Sequence, residues 1–298
     1  MRKRYPLISV IMNCYNGEKY LEKAVQTVID QSYNNWELIF WDNKSTDKSQ
    51  VFLKKFNDKR IKYFCSDNHT SQYEARKRAV FECDGELLAF LDVDDWWHKD
   101  KLMEQVPLFD DPNIGFACCN YWIINERKRK KYIAFKKIYK GNVLERLLIR
   151  NFVGMSTLVI RKDAYFSLDY GFNPKFEIIG DYDLVLRLST KYQLASIKKP
   201  LSFYRWHGEN LGITKFDLNI KELGIWINDM KYDERFCKAR NFNYLIDYIT
   251  FYRGLNFILN KDRRLAYREI LSINNYSLKL KLFIILFLPI FIIKYLRS

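Results

Sequence analysis

The sequence predicts an α/β protein built on a parallel sheet, and three features predict it. Strand-like and helix-like stretches alternate through about the first hundred residues. The strand-like stretches are nearly unbroken apolar runs, as expected where helices cover both faces of a sheet. Polar clusters follow three of these runs, at Asn13 to Asn16, at Asp42 and Asn43, and at Asp92 to Asp95. In such sheets the strand ends converge on one edge, where ligands sit.

The elements follow in order. "LISVIMN" (Leu7 to Asn13) is the first strand. After a turn at Asn16 and Gly17, the positions Leu21, Ala24, Val25, Val28 and Ile29 recur with helical spacing and define one apolar stripe. "WELIFW" (Trp36 to Trp41) is the second strand, "DNKSTDKS" a polar loop that opens a helix, and "IKYFCS" the third strand. A helix over 71–82 stops at Asp84 and Gly85, and "ELLAFL" is the fourth strand. Repeated strand-helix-strand units require right-handed crossovers. Beyond Asp100 the regularity falls away. "ERKRKKYIAFKK" (Glu126 to Lys137) reads as a solvated hairpin or loop, "MSTLVIRKDAYFSL" as a strand and a short helix, and "GDYDLVLRLS" opens a helix. From about Phe216 to Asn275 the pattern is helical and rich in aromatics.

Composition bounds the partners. The 298 residues, 48% hydrophobic and 17% aromatic, suffice for one large core or one core with a smaller appended unit. The six cysteines show no CxxC pair and no framework spacing, so they read as reduced core residues of a cytoplasmic protein. No apolar run near the N-terminus is long enough for a signal peptide. A formal net charge of +15 admits nucleic acid, an anionic membrane surface or phosphorylated small molecules. No zinc-finger spacing, RNP-type motif or arginine-rich helix favours nucleic acid. The C-terminus favours a membrane surface. In "SLKLKLFIILFLPIFIIKYLRS" the apolar core from Leu282 to Ile293 falls short of the roughly 20 residues of a span, Pro289 interrupts it, and Lys279, Lys281, Lys294 and Arg297 flank it. Such a segment lies in the interface with its cations on lipid head groups; a buried terminal helix is the alternative.

The chemistry centres on "LLAFLDVDDWW" (Leu87 to Trp97). Crowded together at a strand end, Asp92, Asp94 and Asp95 repel one another and need a counter-charge. Hard divalent cations, Mg2+ or Mn2+, accept such carboxylates and take remaining ligands from water and substrate phosphates. A diphosphate on such an ion is a leaving group with its charge already neutralised. One of the three could instead cap "WWHKDKL" as a helix, which leaves two unexplained. There is no GxxxxGK[ST] loop and no GxGxxG fingerprint, which excludes P-loop kinases and dinucleotide dehydrogenases. "DNKSTD" lacks the glycine of a calcium loop and carries Lys44 at a ligand position. His69 and His98 read as surface or loop residues, and Trp96 and Trp97 as core or pocket wall.

"SVIMNCYNGEKYLEKAVQTVIDQSYNNWELIFWDNKSTDKS", "EARKRAV" and "GELLAFLDVDDWWHKDKL" together resemble the opening of the family 2 glycosyltransferases, over most of residues 5 to 210. The resemblance implies a GT-A fold: a Rossmann-like, mostly parallel sheet flanked by helices over 1–215, followed here by a helical extension over 216–276 and the apolar tail 277–298. It implies an inverting transferase that takes a nucleotide-diphosphate sugar and Mn2+ or Mg2+. Carried over by position, Asn13 and Tyr15 line the base and ribose pocket. Asp42 and Asn43 match the pair after the second strand, where the family often has two aspartates. Arg76 meets the base or the diphosphate. Asp92 and Asp94 face the nucleotide sugar, Asp94 and Asp95 the metal, and His207 in "YRWHGENLG" completes the metal shell. In "IIGDYDLVLRL" Asp181 takes the role of the base, and Gly180 replaces the family's usual glutamate.

Asp183 is an alternative base. Two positions apart at a helix start, Asp181 and Asp183 cannot both face one substrate atom, and each could simply favour the helix dipole. No Gln-x-x-Arg-Trp motif of the processive synthases occurs, so a single sugar is expected to move, onto a hydroxyl of a lipid-linked or envelope saccharide at the inner face of the cytoplasmic membrane. The second reading, motivated by Gly180 and Asn43, is a membrane-associated nucleotide-sugar binder without transfer chemistry.

Overall fold

The computed structural model describes residues 5–208, 210 and 214–297, with the side chains of 294–297 left out. The side chains of the flanking Lys294 and Arg297, and all of Glu209, Leu211 and Gly212 of the "YRWHGENLG" segment, therefore lie outside the described residues. The chain divides into two compact units, Met1–Leu144 with Asn151–Thr214, and Glu145–Arg150 with Lys215–Ser298.

In the first unit the alternation read from the sequence is realised. Strand β1 (Ile8–Cys14), helix α1 (Leu21–Ile29), β2 (Trp36–Asp42), α2 (Ser49–Leu53), β3 (Ile61–Cys65), α3 (Gln72–Phe81) and β4 (Leu87–Phe90) follow one another. β1 pairs in parallel with both β2 and β4, and β2 with β3. β2 and β4 are buried throughout and β1 nearly so, because α1 and α3 cover the sheet; Leu21, Ala24, Val25 and Val28 pack with Val10, Met12, Leu38 and Phe40. Burial of this kind is the main favourable term of the fold. Asn16 and Lys44, with φ of 53° and 68°, take the left-handed turns that return the chain from β1 and β2.

Beyond β4 the sheet is mixed. β5 (Trp96–Trp97), α4 (Lys101–Gln105), β6 (Ile114–Asn125), β7 (Lys130–Ile133), α5 (Leu144–Ile149), β8 (Val159–Arg161), α6 (Lys162–Phe166), α7 (Gly180–Ser189) and β9 (Gln193–Trp206) complete a nine-stranded sheet of order β3-β2-β1-β4-β8-β6-β9-β5, with β7 on β6. The parallel sheet expected from the sequence holds up to β4, and β8 then joins β4 antiparallel. The charged stretch after Glu126 is the turn and return strand of the β6–β7 hairpin. The alternative in which one of the three aspartates caps "WWHKDKL" as a helix is overturned: Trp96 and Trp97 are strand residues paired with Phe203 and Ser202 of β9, and the helix starts only at Lys101. Cys65 and Cys237 are exposed, contrary to the all-core reading, and the other cysteines are buried.

The second unit is helical: α8 (Phe216–Met230), α9 (Glu234–Cys237), α10 (Phe242–Leu259), α11 (Arg263–Ser272), α12 (Tyr276–Phe287) and α13 (Ile290–Arg297). Its core joins Phe251, Leu255, Ile258, Ala266 and Ile270 to Leu282, Leu286 and Ile293 of the tail. α5 belongs here as well, for the Glu145 carboxylate accepts from the amides of Arg240 and Asn241 at 2.8 and 2.9 Å. Leu288 is extended before Pro289, which separates α12 from α13. Among the described residues no helix is long and apolar enough to cross a membrane.

Candidate active site

The ends of β1 and β2 carry one group of expected residues. Asp42 is buried, with Oδ1 accepting from the Ser45 amide (2.7 Å) and Oδ2 from the Tyr63 hydroxyl (2.9 Å). Asn43 is equally buried and gives its whole amide to Thr70: Nδ2 donates to the carbonyl (2.8 Å), and Oδ1 accepts from the amide (3.1 Å) and hydroxyl (3.0 Å). These contacts pin the loop after β3 against β2. Tyr15 is exposed and meets His69 ring to ring at 4.0 Å. His69 Nδ1 lies 3.1 Å from the Asn43 carbonyl, and since a carbonyl only accepts, that nitrogen carries the proton. Asn13 Nδ2 donates to Gln72 O at 3.1 Å, while its Oδ1 is buried with no hydrogen-bond partner among the described residues.

The acidic trio forms a second group. Oxygens of Asp92, Asp94 and Asp95 lie within 4.8 Å of one another. Asp95 is buried and anchored, its Oδ2 accepting from Ser156 Oγ (2.5 Å) and its Oδ1 from the Arg205 amide (2.9 Å). Burial, then repulsion from Asp94 and Asp92, pushes its carboxyl well above the usual range. Asp92 pairs with Arg76 Nη2, and desolvation still lifts its carboxyl against that attraction. Asp94 Oδ2 faces His207 Nε2 at 3.1 Å, and its carbonyl accepts from Arg205 Nε at 2.8 Å. The His207 ring rests on Tyr20, centroids 5.2 Å apart. Asp94, Asp95 and His207 are thus gathered at one place by β4, β5 and the end of β9.

Helix α7 brings Asp181 to the same edge. Its Oδ1 accepts from the Tyr182 amide (2.7 Å) and lies 3.3 Å from the Tyr73 hydroxyl. Burial raises its carboxyl above the usual range, opposed chiefly by the Arg76 guanidinium. That guanidinium lies 5.1 Å from the centre of the Tyr73 ring, so Tyr73 and Arg76, one helical turn apart on α3, link Asp181 to Asp92. Asp183 is removed as an alternative base. It is fully buried, and Arg187 Nε and Nη2 donate to its two oxygens at 3.1 and 2.6 Å.

Comparison with known proteins decides the family. Residues 9–166 match Glycosyl transferase family 2. The chain belongs to the family 2 glycosyltransferases. Among curated relatives, the UDP-Glc:alpha-D-GlcNAc-diphosphoundecaprenol beta-1,3-glucosyltransferase WfgD of Escherichia coli is 30% identical over 213 residues, which is 70% of this chain and 81% of that protein. Among solved structures, S. aureus TarS in complex with UDP-GlcNAc superposes with a TM-score of 0.62 at 17% identity, over 80% of this chain and 71% of that one. Mannosyltransferase PcManGT from Pyrobaculum calidifontis, in complex with GDP-Man and Mn2+, gives 0.60 at 16% identity, over 90% and 75%. These likenesses establish the GT-A fold.

Within this family 2 glycosyltransferase, one residue at the strand-end edge, Tyr73, is not marked by the sequence. His69, read as a surface or loop residue, is exposed in the loop that Asn43 pins, directly before Thr70. Tyr73 drew no notice because a tyrosine on the apolar face of a helix reads as core. The motif "EARKRA" pointed to Arg76 alone, one turn away.

Proposed function

We propose that this glycosyltransferase moves one hexosyl or N-acetylhexosaminyl group, with inversion, from a nucleotide-diphosphate sugar to a hydroxyl of a lipid-linked or envelope saccharide. The observation that carries the reading is the linkage from Asp181 through Tyr73 and Arg76 to Asp92, which joins a desolvated carboxylate to the acidic trio. Asp181 takes the proton from the acceptor hydroxyl as the sugar carbon is attacked, and a carboxylate lifted by burial is the better base for it. Arg76 places a positive charge beside Asp92, where the diphosphate leaves. Asn13 and Tyr15 are assigned to the base and ribose, with Asp42 and Asn43 shaping that pocket from beneath.

The donor set fits Mn2+ or Mg2+: three convergent carboxylates, with an imidazole on Asp94 and with burial opposing the charge of Asp92 and Asp95, are a site that a hard cation relieves. Asp94, Asp95 and His207 would hold the ion. When bound it would neutralise charge on the departing diphosphate.

The acceptor named for WfgD is lipid-linked, which favours work at the inner face of the cytoplasmic membrane. The tail supports an anionic membrane surface as a partner. Phe283, Ile284, Phe287 and Phe291 are 43, 54, 64 and 73% exposed, beside Lys279 and Lys281, and no acidic residue occurs from Tyr276 to Ser298. In domain terms, transfer belongs to 1–215, with 216–276 as a helical extension and 277–298 as the docking tail.

Turnover of UDP-glucose and related donors with Mn2+ tests the reading. Asp94→Ala and Asp181→Asn are each expected to cut it by about a thousandfold while the fold persists. Wild-type turnover in both variants would refute the assignment.

A further inference from the structure

Gly180 occupies the position next to the base, and the structure shows what fills the space a side chain would need. A Cβ on Gly180 would lie 2.5 Å from Tyr73 Cδ2 and 2.6 Å from Tyr73 Cγ, closer than carbon atoms approach. The ring cannot easily withdraw. Tyr73 is 2% exposed, it stacks on Phe172 with centroids 5.7 Å apart, and Arg76 covers it. Its hydroxyl lies 3.0 Å from the Ile178 carbonyl and 3.3 Å from Asp181 Oδ1, so one proton is shared between a backbone acceptor and the base. The two preceding residues tie the same segment down. Ser71 Oγ donates to the Pro174 carbonyl at 3.4 Å and Gln72 Nε2 to the Glu177 carbonyl at 2.6 Å.

We infer that Tyr73 is the positioning residue for the base in this enzyme and that glycine at 180 is the condition for it. The inference rests on Asp181 being the base, as proposed above. The Tyr73 hydroxyl and the Tyr182 amide both point at Oδ1 of Asp181, which fixes the carboxylate plane and leaves Oδ2 to receive the acceptor's proton. The stretch of chain leading into α7 is held by α3, whose own Ser71 caps its first turn (Oγ to the Glu74 amide, 3.3 Å). Absence of a glutamate at 180 is therefore no sign of lost transfer chemistry, because a tyrosine from another helix occupies that volume and supplies a hydrogen bond.

The test uses the whole 298-residue chain and hydrolysis of UDP-glucose with Mn2+, followed from about pH 5 to about pH 9. Tyr73→Phe keeps the ring and removes the hydroxyl. Its kcat is expected to fall about tenfold with the donor KM within about twofold, the signature of a contact that matters in the transition state. The groups facing Asp181 are Tyr73, Arg76 and Asp92. The lost hydrogen bond favoured the ionised carboxyl, so the acidic limb of the profile is expected to move to higher pH. Tyr73→Ala combined with Gly180→Glu vacates the ring's volume and installs a carboxylate there, and should regain at least about fivefold over Tyr73→Ala alone. A Tyr73→Phe enzyme with wild-type kcat and an unmoved acidic limb, or a double variant no better than Tyr73→Ala, overturns the assignment. A wild-type protein inactive on every donor would overturn the proposed function and this inference with it.

Discussion

Nε2 of His207 lies 3.1 Å from Oδ2 of Asp94, a contact between residues 113 positions apart in the chain. It exists because β9 runs past the end of β5 and delivers the imidazole to the acidic trio, with Tyr20 of the turn before α1 as its resting face. An imidazole that can exchange a carboxylate oxygen for a divalent ion should tune affinity more than chemistry. His207→Ala is therefore expected to raise the Mn2+ concentration for half-maximal turnover by about tenfold or more, with kcat at saturating Mn2+ reduced far less. Manganese titration of both proteins checks it, and coincident titration curves would remove His207 from the metal shell.

The two aspartates at the start of α7 should separate cleanly by their consequences. Asp183 holds the buried guanidinium of Arg187, which also donates to the carbonyls of Tyr170 and Gly171 at 2.5 and 2.7 Å. Removing it leaves a buried, unbalanced cation, a change worth about 3–5 kcal/mol. Asp183→Ala should thus lower the denaturation midpoint markedly, whereas Asp181→Asn should leave the midpoint almost unchanged and cut turnover about a thousandfold. Urea melts beside activity measurements distinguish the pair. Equal stability of the two variants would contradict the structural role given to Asp183.

Lys101 offers a prediction unconnected with catalysis. Its ammonium is fully buried, makes no hydrogen bond among the described residues, and sits 4.0 Å from the centre of the Trp97 ring. Desolvation lowers it to about 8. The unfolded chain holds that proton up to about pH 10.4, so between about pH 8 and about pH 10.4 the unfolded state binds more protons than the folded one. Stability contributed at this site therefore rises with pH through that window, by about 3 kcal/mol in all, and is flat below it. Lys101→Met fills the same volume without a charge to bury. It should be more stable than wild type at pH 7, with a difference that shrinks as pH approaches 10. Chemical denaturation of both proteins at several pH values is the measurement, and a pH-independent difference would show that Lys101 is charged in both states or neutral in both.

What the sequence disclosed and what it hid divide along contact distance. β1 to β4 were legible because each is a continuous apolar run whose partners come within the next few elements, and the polar residues that end them gather at one edge of the sheet. The helical alternative at Trp96 and Trp97 fails because they form a two-residue strand with no period of its own; it exists only through Ser202 and Phe203, more than a hundred positions later. β6 and β9 pair in parallel across some eighty residues, with register shifts near Cys119 and Asn120, which no local pattern announces. Asp181 stands in a motif that the sequence displays. Tyr73 stands in none, since its hydrogen bond reaches a residue 108 positions away. The tail was half legible: its basic flanks were plain, but its share in the core of the second unit depends on Phe251, Leu255 and Ile270.

The tail's share in the core sets how the proposed membrane docking must be tested. On α12 the exposed Tyr276, Leu280, Phe283, Ile284 and Phe287 fall on one stripe, whereas Leu282 and Leu286 face Phe251, Leu255 and Ile258 inside. Deleting 278–298 would strip the core of Leu282, Leu286 and Ile293, so loss of vesicle binding by the truncated protein would report unfolding as readily as docking. Point substitutions on the outer stripe avoid this. Phe283→Ser, Phe287→Ser and Phe291→Ser together remove apolar surface worth several kcal/mol of partition at about 0.8 kcal/mol per buried CH2, while the inner stripe stays intact. The triple variant should lose at least about a hundredfold in affinity for vesicles of phosphatidylcholine with phosphatidylglycerol, at an unchanged melting midpoint. Lys279→Glu with Lys281→Glu should weaken binding to the same vesicles by about 1 kcal/mol or more per residue and have little effect on vesicles of phosphatidylcholine alone. Flotation of each variant beside wild type reads both effects. Undiminished flotation of the folded triple variant would show that the outer stripe meets something other than lipid, and a concentration-dependent shift in size by light scattering would then point to a second copy of the chain.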